Sequence, residues 1–98
     1  MSHRLAPQAQ TELSNIWTYI VREGGSVAAA DAVIDAITER FYLLSQFPRI
    51  GRAREDLRSG LRSFAVGRYV IIYLVDDEGV EILHVFHSRQ DNDGQLGE

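Results

Sequence analysis

A chain of 98 residues and 11.0 kDa has room for one domain, residues 1–98, around one modest core, and not for two. Its 45% hydrophobic and 24% charged residues are ordinary globular composition, and the absence of cysteine excludes a disulfide framework and any thiolate metal site. A net charge of −4 argues against a protein that coats nucleic acid; MSHRLAPQAQTELS has no apolar signal core and no run is long enough for a membrane span, so a cytoplasmic protein is expected.

In chain order, HRLAP reads as a short first strand ended by Pro7. A helix follows from about 8 to 22, in which Ala9, Leu13, Ile16, Trp17, Ile20 and Val21 recur at spacings of three and four while Glu12 and Asn15 face elsewhere. The run EGG at 23–25 stops it. Ser26 caps a second helix to about Ser45, with Ala30, Ile34, Ile37, Phe41 and Leu44 as its buried stripe, and the two helices form an antiparallel hairpin.

QFPRIGRAREDLRSG at 46–60 has Pro48, two glycines and little periodicity, and reads as a loop with a short turn at Asp56-Leu57. From 62 onward the period becomes two. Phe64 and Val66 share a face, Gly67 and Arg68 make a tight reversal, Tyr69, Ile71, Tyr73 and Val75 alternate with Val70, Ile72 and Leu74, and VEILHVF forms the last strand after the turn at 76–79. The class is α+β, with an N-terminal short strand and a helical hairpin packed on a small, mainly antiparallel sheet of about four strands. One hairpin covers one side of such a sheet. The other side is either left for a partner or closed by Tyr73, Val85 and Phe86 around the loop.

Charge is segregated along the chain. Residues 49–68 hold six arginines (Arg49, Arg52, Arg54, Arg58, Arg62, Arg68) against Glu55 and Asp56, a balance of +4; the remainder has four arginines against twelve acids, −8. There is no lysine, so every basic side chain is suited to bidentate and stacked contacts, although an arginine-rich codon bias gives the same composition.

Pro48 with Gly51-Arg52, Asp56-Leu57, Gly60-Leu61-Arg62, Val66-Gly67-Arg68-Tyr69, and His87 with Arg89 and Asp91 follow one another in a register that resembles the ParE branch of the ParE/RelE toxin superfamily, from Leu5 to Asp91. The resemblance implies a RelE/ParE-like fold and the toxic component of a type II toxin–antitoxin system. Such a component inhibits DNA gyrase by binding and is neutralised by a ParD-like antitoxin in a hetero-oligomeric complex, with DNA contact only through the antitoxin. The related RelE branch cleaves messenger RNA on the ribosome. Two departures stand out: Ala65 where the family often has proline, and Gln90 where it often has arginine.

The resemblance makes Arg89 at the end of the last strand the target-contacting residue, with His87, Arg62, Arg68, Arg52 and Arg54 completing a cationic rim. The blander role for these arginines is pairing with Glu55, Asp56, Asp91 and Asp93, and exposed pairs contribute only ~0–1 kcal/mol. Antitoxin binding is expected at Leu13, Trp17, Ile34, Phe41, Tyr73 and Phe86. No cofactor or metal is expected: His84 and His87 are three apart on a strand and face opposite ways, and His3 lies near a terminus. A ribonuclease would use His87, Arg89, Arg62 and Arg68 with Glu55 or Asp56 as base, acid and phosphorane cations. The thin supply of acid–base groups favours a non-enzymatic binder, and a decayed, non-toxic interaction module is a further alternative.

Overall fold

The computed structural model describes residues 2–89. Its elements are β1 (Ser2–Leu5), α1 (Pro7–Arg22), α2 (Val27–Gln46), β2 (Arg52–Ala53), β3 (Leu61–Val66), β4 (Tyr69–Asp76) and β5 (Gly79–His87). Pro7 occupies the first helical position of α1, where its missing N–H is not needed. The Ser26 hydroxyl accepts from the Ala29 N–H at 3.0 Å and starts α2. Between the helices, the Trp17 indole N–H donates to Asp31 at 2.8 Å.

Among the described residues the sheet has five strands in the order β1-β5-β4-β3-β2, one more than the sequence pattern suggests. The extra strand is β2, two residues long, held by the pairings Arg52↔Ser63 and Ala53↔Arg62. Two residues cannot show alternation, so only their partner reveals them. β1 runs parallel to β5 and the other pairings are antiparallel. Arg4 on β1 pairs with Asp76 and, at 3.7 Å, with Glu81, linking the first strand to the β4–β5 hairpin. At the β3–β4 reversal Gly67 has φ +57° and Arg68 does not have positive φ, the form of a II′ turn with glycine first.

The helices cover one face. Ala9, Leu13 and Ile16 of α1 and Val33, Ile37, Phe41 and Leu44 of α2 pack on Ile71, Tyr73, Val80, Ile82 and Val85. The stripe of α2 therefore passes through Val33 instead of Ile34, which is half-buried beside it. On the opposite face Leu61, Ile72 and Phe86 form a smaller cluster with Leu57, Val70, Leu74 and Leu83 around them. Tyr73 and Val85 thus belong to the helix side and only Phe86 to the far side.

β5 carries an irregularity that its sequence hides. Ile72 pairs with His84 and Tyr73 with Ile82, so Leu83 is an extra residue in the ladder. The bulge reverses the alternation. Ile82 and Val85, three apart, both reach the helix-side core, and the strand pattern is continuous only when read separately on either side of Leu83.

Candidate functional site

The two arginines of the β3–β4 hairpin stand at opposite ends of it. Arg62 pairs across the ladder with Tyr73, and both side chains reach the segment leaving α2. The Arg62 guanidinium donates to the carbonyls of Gly51 at 2.7 Å and Arg49 at 3.2 Å. The Tyr73 hydroxyl donates to the Pro48 carbonyl at 2.7 Å and accepts the Gly51 N–H at 2.9 Å. Burial is the main cause that raises the Tyr73 phenol above its ordinary pKa. A Cβ on Gly51 would stand 2.7 Å from the Tyr73 ring and 2.8 Å from the Ser63 carbonyl, so the residue is glycine because the backbone lies directly on that ring.

Arg68 lies at the hairpin tip, about 20 Å from Arg62 at the rise of a strand. The Ser88 N–H donates to the Arg68 carbonyl at 2.8 Å, which fastens the end of β5 to the tip. The Arg89 N–H donates to His87 Nδ1 at 3.2 Å. The His87 ring meets Tyr69 edge-on at 5.4 Å between centroids. Over these residues lies α1, and the space between forms a cleft of about 700 Å³ lined by Glu12, Asn15, Ile16, Tyr19, Arg68, Tyr69, Val85, Phe86, His87 and Arg89. Burial, then the neighbouring Tyr19, raises the Tyr69 phenol pKa, and Arg68 opposes them. Glu12 is already engaged: its carboxylate accepts the Val85 N–H at 2.8 Å and Gln8 at 3.1 Å, and lies 3.3 Å from His84 Nδ1.

Arg68, His87 and Arg89 are therefore brought together, and Arg62, Arg52 and Arg54 are not among them. Arg62 is the second residue of β3 and Arg68 follows the end of that strand. Arg52 is exposed on β2, and Arg54 is half-buried with Asp56 at 3.6 Å. The proposed pairing of Arg62 with Asp91 falls outside the described residues, as do Gln90 and Asp93.

For the antitoxin face, Phe41 is 1%, Tyr73 0% and Phe86 6% exposed, so these three side chains are interior and have little or no surface to offer a partner. Leu13, Trp17 and Ile34 are half-buried on the helix hairpin. The large apolar side chains that do reach solvent are Tyr19, Val27, Tyr42, Phe47 and Ile50. The cleft residues Asn15, Tyr19 and Tyr69 also escaped the sequence reading. Their signal was a second stripe on α1, Glu12, Asn15-Ile16 and Tyr19 at helical spacing, which gains meaning only once α1 is known to lie over the ends of β4 and β5.

Comparison with known proteins decides the family. The profile of the ParE toxin of type II toxin–antitoxin systems, parDE, matches residues 4–92. The chain belongs to the ParE toxin family. Toxin ParE3 of Caulobacter vibrioides is 42% identical over 77 residues, 79% of this chain and 77% of that protein. Among solved structures, a chain of the chromosomal ParDE system of P. aeruginosa shares the fold with a TM-score of 0.76 at 20% identity, covering 89% of this chain and 95% of that one. A chain of the RelBE2 toxin–antitoxin complex of Mycobacterium tuberculosis aligns with a TM-score of 0.63 at 27% identity, covering 88% and 95%. This member of the ParE family thus has the α+β RelE/ParE-like fold, an architecture found on both sides of the ParE/RelE division.

Proposed function

We propose that the chain is the toxic component of a type II pair, acting in the cytoplasm by binding DNA gyrase and silenced by a ParD-like antitoxin in a hetero-oligomeric complex that contacts DNA only through the antitoxin. The family match over residues 4–92 carries this reading. The gathering of Arg68, His87 and Arg89 at one end of the sheet supports a target-facing surface there, because exposed guanidinium groups recognise partners through directed donors without taking part in the core. No helix among the described residues is long and apolar enough to cross a membrane. The antitoxin interface, if stable, buries at least ~1,200 Å² in total.

The second reading is a ribosome-dependent ribonuclease, favoured by one observation: an imidazole and two guanidinium groups share a cleft. Such chemistry needs a base as well as cations. The Glu12 carboxylate in that cleft is held by the Val85 N–H, and Arg62 is a strand-length away. Inducible expression with and without the neighbouring antitoxin gene, with separate measurement of DNA damage and message cleavage, tests both readings. DNA damage with intact messages is expected. Message cleavage that disappears in His87→Ala reverses the choice, and no growth arrest in either condition leaves the non-toxic binding module.

A further inference from the structure

The residues that line the cleft include several hydrogen-bond donors. Arg68 and Arg89 are exposed, and among the described residues neither guanidinium forms an ion pair. Beside them stand the phenols of Tyr19 and Tyr69 and the amide of Asn15. The carboxylate that lines the same wall, Glu12, faces the Val85 N–H and His84. A concave site with two guanidinium groups, phenolic hydroxyls and aromatic walls suits an anionic oxygen ligand carried on a short stem.

We infer that this cleft receives the carboxylate side chain of an acidic segment on a partner protein, clasped by Arg68 and Arg89 with Tyr19 and Tyr69 as its walls. The inference rests on the reading of this end of the sheet as partner-facing and adds the chemistry that the partner must present. A nucleic-acid backbone is disfavoured by the number of cations. Polyanions need cations along a track, whereas the arginines lining this cleft are Arg68 and Arg89, enough to hold one carboxylate.

The test is an amide NMR titration of the complete chain with the peptide acetyl-Ala-Glu-Glu-Ala-amide, its glutamine counterpart and a thymidylate tetramer. Saturable shifts at Asn15, Tyr19, Arg68, Tyr69 and Arg89 are expected with the glutamate peptide and not with the glutamine peptide. Losing one charge-assisted contact in Arg68→Gln weakens binding about tenfold, and Tyr19→Phe weakens it about threefold, both with unchanged thermal melts. Absence of saturable shifts, preference for thymidylate, or equal affinity in both variants overturns the inference. Growth arrest is scored separately: a toxic chain that ignores the glutamate peptide refutes the cleft alone, and a non-toxic chain that binds it refutes the toxin reading alone.

Discussion

One strand-length separates the two ends of the β3–β4 hairpin, and the same residue type does opposite work at each. At the Arg62 end, a guanidinium and a phenol turn inward and fasten four backbone groups of the segment 48–51. At the Arg68 end the guanidinium groups of Arg68 and Arg89 remain in solvent beside a cleft. The difference comes from what the chain places nearby. The segment after α2 brings the carbonyls of Arg49 and Gly51 to Arg62, whereas the hairpin tip lies beside a cleft lined by α1 and the end of β5. Arginine in a basic segment is therefore no guide to function until the neighbouring backbone is known.

Truncation at the closed end breaks this comparison most severely. Tyr73→Ala should lower stability by ~3–5 kcal/mol and remove growth arrest through unfolding, as read by urea denaturation. Gly51→Ala forces the backbone away from the Tyr73 ring and should cost ~1–3 kcal/mol. Tyr73→Phe isolates the question of the hydroxyl: it strands the buried Gly51 N–H and should cost ~1–3 kcal/mol with the core otherwise intact. Arg62→Ala, at a half-exposed site, should cost ~1 kcal/mol. At the open end the signature inverts. Arg68→Ala and Arg89→Ala should change stability by less than ~0.5 kcal/mol, yet Arg89→Ala should abolish growth arrest while retaining antitoxin binding. If Arg62→Ala instead leaves the melt unchanged and removes toxicity, the two ends are functionally alike.

Titration sharpens the same contrast with smaller effects. The Tyr73 phenol is raised in the folded protein, so its contribution is fully present below the ordinary tyrosine range near ~10 and is lost as pH rises through the folded value. The alkaline limb of a melting curve against pH should flatten in Tyr73→Phe. Asp76 moves the other way. Its hydrogen bond with Arg4, chiefly, holds the carboxyl below its usual pKa, so its stabilisation is present above about pH 4 and fades as pH falls through the folded value. This pair is exposed, and added salt should erase most of the difference between the parent and Asp76→Asn.

Much of this architecture was legible because long elements advertise their period. The helix pair, the Gly67-Arg68 reversal and the apolar β4 at the centre of the sheet all follow from spacing. The two-residue β2 was not legible, since its existence depends on Arg62 and Ser63 across the ladder. Nor was the bulge at Leu83, because HVF continues to look like regular alternation after the phase has changed. At the site, Arg68, His87 and Arg89 stand out one by one in the sequence, but the cleft required α1, whose second stripe gains meaning only when its place over the sheet is known. Tyr73 and Phe41 are interior, which was not legible for a related reason: an apolar residue on a strand or helix does not disclose whether its own chain covers it.

The carboxylate of Glu12 has a consequence for how the molecule behaves in company. β1 stops at Leu5, opposite Ile82, so beyond that point β5 has no neighbouring strand on its outer edge among the described residues. A bare N–H there is an invitation for a strand of another chain to pair, the start of edge-to-edge aggregation. By accepting the Val85 N–H from a helix, Glu12 occupies a donor on that edge with one side chain, where elsewhere a strand would do so. On the longest strand of the chain, one edge donor is thereby withheld from a strand of another copy.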